Sequence, residues 1–93
     1  MSPVLIEALS AAQRMLEDKG IESARLESEL LMSHLLGWER HELYFKKDFI
    51  LPSRQMESFK RMLERRLAGE PVQYITGVRY FMGLPFHVDS RVL

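Results

Sequence analysis

The hydrophobic period of the chain changes once, and that change limits what it can fold into. Up to Ala68 apolar residues recur three and four apart; after Gly77 they alternate. The first spacing belongs to amphipathic helices, the second to strands covered on one face. The chain should therefore be mainly α, a small helical bundle followed by a C-terminal β-hairpin. Its 93 residues suit one core that closes without staples. Cysteine is absent, which rules out disulfides and cysteine-ligated zinc.

The first helix is expected to start with Ser2 as N-cap and Pro3 at the first helical position. Leu5, Leu9, Ala12 and Leu16 form its stripe, widened by Ile6, Ala8 and Met15, and Gly20 stops it. A second helix runs from near Ser23 to Gly37. Its "LLMSHLL" middle carries apolar residues over a broad arc, as in a helix central to a bundle. A shorter helix follows around His41 to Lys46, broken by "DFILPS" because Pro52 disfavours helix at Leu51. The last long helix spans about Ser53 to Ala68, with Met56, Phe59, Met62, Leu63 and Leu67 inward. Pro71 then opens one short turn through Tyr74 and Ile75, closed by Gly77. The core should centre on Leu30, Leu31, Leu35, Phe59 and Leu63.

From Val78 onward, Val78, Tyr80 and Met82 alternate with Arg79 and Phe81, and after "GLP" the alternation resumes through Phe86, His87, Val88 and Asp89. Two such runs around a connection that contains Gly and Pro read as a hairpin. An isolated hairpin is marginal in water, so Tyr80, Phe81 and Phe86 need cover from the helices or from chain beyond Leu93. The expected division is a helical domain over 1–77 and a hairpin over 78–93.

No catalytic pattern emerges. His34, His41 and His87 have no metal-ligand spacing, and there is no nucleophile elbow, Walker loop or G-x-G-x-x-G. Glu27 and Glu29 are two apart, so on a helix they diverge. No apolar run is long enough for a membrane span, and no signal peptide opens the chain; a cytoplasmic protein is the default. Net charge is zero but unevenly spread: residues 1–30 sum to −3 and residues 46–66 to +4. Within the basic stretch lie Lys60, Arg61, Glu64, Arg65 and Arg66. Such a cluster is suited to nucleic-acid phosphate, to an acidic protein surface, or simply to the solvated, dipole-complementing end of a helix. A neutral chain with so short a basic stretch makes a nucleic-acid module the weaker reading. A free-standing adaptor would need the hairpin to pack back on the helices.

Three blocks carry a resemblance. "GIESARLESELLMSHLLG" (Gly20 to Gly37), "RRLAGEPVQYITG" (Arg65 to Gly77) and "FMGLPFHVDSRVL" (Phe81 to Leu93), in this spacing, resemble the N-terminal part of the HemK-like release-factor glutamine methyltransferases. The resemblance implies a helical domain joined by a β-hairpin connector to a Rossmann-like domain beyond Leu93 that binds S-adenosylmethionine. It further implies N5-methylation of the Gln in the Gly-Gly-Gln motif of class I peptide chain release factors, with the helical part helping to recognise the factor. No position here matches the family's catalytic or cofactor motifs, so neither role is assigned to any residue, and this chain alone should have no activity and bind no cofactor. Lys60, Arg61 and Arg65 are the candidate partner-binding residues.

Overall fold

The structure, a computed structural model, describes the backbone of residues 3–81 and 84–87 and the side chains of residues 3–77. Five helices follow one another: α1 Leu5–Asp18, α2 Ala24–Leu36, α3 Arg40–Phe45, α4 Ser53–Leu67 and α5 Val72–Thr76. They make a small bundle, and the fold is mainly helical. Beyond it the backbone of β1 (Val78–Phe81) and β2 (Leu84–His87) runs antiparallel, with Val78 opposite His87 and Phe81 opposite Leu84. The expected cover of Tyr80, Phe81 and Phe86, and the readings placed on Ser2, Met82, Gly83, Val88 and Asp89, fall outside the described residues.

Helix α2 packs against α1, α3, α4 and α5, the central place its broad apolar arc anticipates. Its buried residues are Ala24, Ser28, Glu29, Leu31 and Met32. Leu30 and Leu35, expected at the centre, are only half-buried. The helix turns 100° per residue, so centring Leu31 and Met32 on the core rotates Leu30 towards a side groove. From α1 come Leu5, Ala8, Leu9, Ala12 and Leu16, and from α4 Phe59 and Leu63. Ile6 and Met15, expected to widen the α1 stripe, are exposed. Leu43, Leu51 and Ile75 complete the core, with Met56, Met62 and Leu67 packed partly buried against it.

The start of α1 departs from expectation. The helix begins at Leu5, and Pro3 lies before it. Pro3 and Val4 instead run alongside Ile50 and Leu51: Val4 forms a bridge with Ile50, and the Leu51 N–H donates to the Pro3 carbonyl at 3.0 Å. A helix leaves its first N–H groups without internal acceptors. Here the Leu5 N–H donates to the Phe49 carbonyl (2.7 Å) and the Ile6 N–H to that of Lys47 (3.0 Å). The Glu7 carboxylate accepts from the Val4 N–H at 3.1 Å. The segment joining α3 to α4 thus does the work expected of the Ser2 hydroxyl.

Gly37 ends α2 in the left-handed region (φ 72°), where its N–H and that of Trp38 both donate to the Ser33 carbonyl. Open space surrounds the position a Cβ would take, so Gly37→Ala isolates backbone strain from crowding. The substitution should cost about 1 kcal/mol in a urea melt; no loss would mean that another conformation ends α2 equally well.

Candidate functional site

The basic cluster lies on α4, a helix whose apolar positions turn inward and leave the charged ones outside. Lys60, Arg61 and Arg65 are all exposed, but they are not equivalent. Arg65 makes a two-pronged pair with Glu70, its Nε donating to Oε1 at 3.1 Å and a second guanidinium nitrogen to Oε2. Arg66 turns inward, its Nε donating to Glu27 Oε1 at 2.6 Å across the α2–α4 seam. Among the described residues, Lys60 and Arg61 have no such partner. Arg54 shares their exposure, and Glu57 and Glu64 stand on the same helix. The outward charge of α4 with its following turn is therefore smaller than the +4 of the linear count, because Glu27 and Glu70 come from outside the stretch counted.

A second cluster, centred on Glu29, was not singled out in the sequence. Glu29 on α2 is 5% exposed. Its Oε1 accepts from Nε and Nη2 of Arg40 at 3.2 and 3.0 Å. Its Oε2 accepts from the Tyr44 hydroxyl at 2.5 Å and from Arg25 Nε at 3.3 Å. Arg25 Nη2 also donates to the Tyr44 oxygen at 2.9 Å. Burial alone would raise the Glu29 pKa, but the hydrogen bonds from Tyr44, Arg40 and Arg25 together outweigh it and hold the carboxyl below its usual range. A carboxylate held ionised with both oxygens engaged is not a proton donor at neutral pH; it clasps α3 to α2.

Beside this clasp, the C-terminal half of α2, the α2–α3 turn and α5 enclose an open groove of about 770 Å³, lined by Leu30, Ser33, His34, Trp38, His41 and Val72 among others. His34 and His41 meet there as groove-wall residues. Among the described residues no group of three or more His, Asp or Glu is placed to hold a metal ion, and no helix is long and apolar enough to cross a membrane.

The described residues thus form a small helical bundle with exposed cations on α4, an open groove beside α2 and a buried carboxylate clasp. A family model described as the PrmC N-terminal domain matches residues 7–77, and the chain belongs to that family. It is 39% identical over 89 residues to the release factor glutamine methyltransferase of Chlorobaculum tepidum, covering 96% of this chain and 30% of that protein. It is 38% identical over 93 residues to the protein of that name from Vibrio cholerae, covering 100% and 32%. A bifunctional methyltransferase of Rickettsia conorii is 37% identical over 87 residues, covering 94% and 17%. The chain thus spans about a third or less of the length of these curated relatives.

Proposed function

We propose that the chain is the substrate-recognition part of an S-adenosylmethionine-dependent methyltransferase acting in the cytoplasm. Its target is the glutamine side-chain nitrogen in the Gly-Gly-Gln motif of class I peptide chain release factors. The observation that carries this reading is membership of the PrmC N-terminal domain family, supported by relatives named release factor glutamine methyltransferase over nearly the whole chain. Residues 1–77 are the recognition domain, and residues 78–93 the hairpin connector towards a catalytic domain outside these 93 residues. The described residues do not suit the cofactor: Gly20, Gly37, Gly69 and Gly77, the positive-φ glycines, all lie at helix ends, and none opens the strand-to-helix turn that cradles such a ligand.

A carboxamide is a weak nucleophile, so methyl transfer to it depends on holding donor and amide in line. A domain that grips the factor away from the reacting glutamine supplies binding energy for that alignment. Lys60, Arg61 and Arg65 are the proposed contacts; Lys60 and Arg61 carry more of the role because Glu70 already neutralises Arg65.

In the full-length protein, Lys60→Glu with Arg61→Glu should slow association with an intact release factor by about tenfold, and the loss should shrink at high salt. Methylation of intact factor and of a short Gly-Gly-Gln peptide would be compared. Equal losses on both substrates would indicate a disturbed catalytic domain, and no loss on either would remove α4 from the interface.

A further inference from the structure

The segment between Gly37 and Leu51 is fastened to the bundle differently from the long helices. Of residues 39–50, all described, Leu43 alone is buried, and residues 44–50 are all exposed. Helix α3 has six residues, too few to hold a helix together in water by itself, and it packs on α2. Besides Leu43, what fastens it is polar: Arg40 and Tyr44 both donate to the buried Glu29 carboxylate. The two ends of the segment are fixed by other means. Gly37 ends α2 in a left-handed turn, and Leu51 is fully buried. A stretch with so few buried apolar contacts opens at a lower free energy than the core beside it.

Hydrogen bonds run step by step from this latch to the head of α1. On α3, the Glu42 carbonyl accepts from the Lys46 N–H at 2.9 Å. The Lys46 carbonyl accepts from the Phe49 N–H at 2.9 Å, and the Phe49 carbonyl from the Leu5 N–H at 2.7 Å. The Lys47 carbonyl accepts from the Ile6 N–H at 3.0 Å. Trp38 ties the turn of residues 46–49 together, with Phe49 edge-on at 5.1 Å and Lys46 Nζ 4.4 Å from its ring centroid. No carbonyl within α1 can serve its first amides, so their protection depends on this turn staying in place.

We infer that residues 39–50 are a flap, latched by Glu29 and hinged at Gly37 and Leu51, which opens as one unit with the first turn of α1 while α2 and α4 stay packed. Glu39, Arg40 and His41 belong to the flap and line the groove beside α5, so each opening also removes one wall of that groove. Independent fraying of α3 and of the α1 head is the competing account. It requires the hydrogen-bonded path to part at residues 46–49, where Trp38 holds both Lys46 and Phe49.

Amide hydrogen exchange of the 93-residue chain, read residue by residue by NMR, tests this. In the wild type the amides of Leu5, Ile6 and Lys46 should share one protection factor, roughly tenfold or more below those of Leu31 and Phe59. Glu29→Gln should speed exchange at all three by a common factor of roughly ten, as loss of charge-assisted hydrogen bonds does. Tyr44→Phe, which removes one hydroxyl from the latch, should speed them by a smaller common factor. Leu63→Val lies in the core that the open form keeps; it should speed Leu31 and Phe59 and leave the other three unchanged. Faster exchange at Lys46 in Glu29→Gln with Leu5 and Ile6 unchanged would mean that the α1 head frays alone, and would overturn the coupled flap. Acceleration of all five amides alike by Leu63→Val would mean that the domain opens only as a whole, and would overturn it too. If Glu29→Gln does not fold, Tyr44→Phe decides by the same comparison.

Discussion

Phe59→Ala should unfold the domain's centre at a cost of about 3–5 kcal/mol. Phe59 is 1% exposed, the largest of the fully buried side chains, and it sits on α4 within the core shared with α1 and α2. Domains of this size are stable by only about 5–15 kcal/mol, so one substitution removes a large share. The melting temperature should fall by roughly 12–40 °C. Leu63→Ala, at a site 5% exposed, should cost somewhat less. A Phe59→Ala loss below about 0.5 kcal/mol in denaturant melts would mean that α4 does not turn this face inward.

Glu29→Gln should cost about 1–2 kcal/mol near neutral pH. The amide keeps the size of the carboxylate but loses the charge that Arg25, Arg40 and Tyr44 converge on. The figure is held low because Arg25 and Arg40 are themselves well exposed, 67% and 48% at the side chain, and solvent screens their share. The pH dependence follows from the lowered pKa. Glu29 has a folded-state value below its ordinary 4.5, so its contribution is complete above 4.5 and is lost as pH falls through the folded value. The stability difference between wild type and Glu29→Gln should therefore close on acidification. Urea melts at neutral pH and near pH 3 would show it; parallel losses at both pH values would mean that the charge on Glu29 contributes nothing.

The helices were legible because Pro and Gly punctuate them and because each has tertiary partners for its stripe. The ends of α2 at Gly37 and of α5 at Gly77 follow directly from left-handed glycines. The start of α1 was not legible. Ser2-Pro3 has the chemistry of a helix entry, but the backbone acceptors that satisfy α1 come from Lys47 and Phe49, and a distant carbonyl leaves no side-chain signature in sequence. Glu29 was missed for a related reason. Measured against Glu27 it looked like one of two divergent surface acids, whereas its meaning depends on Arg40 and Tyr44, themselves four apart on α3 and facing it. The Arg25–Glu29 spacing of four was the available signal. The basic stretch was legible in position but not in strength. A linear count cannot see that Arg66 turns to Glu27, 39 residues away in sequence.

The backbone acceptors at the head of α1 also bear on the order in which the chain matures. All the residues of α1 have been polymerised once Asp18 is added, but two of its leading amides find their acceptors at Lys47 and Phe49, and the strap closes only with Leu51. At roughly 5–20 residues per second of synthesis, the 33 residues from Asp18 to Leu51 take about 2–7 s. For that interval the backbone acceptors of the Leu5 and Ile6 amides, and the buried Leu51, have yet to be made. The head of the first helix therefore gains its native acceptors only after the third helix has been made.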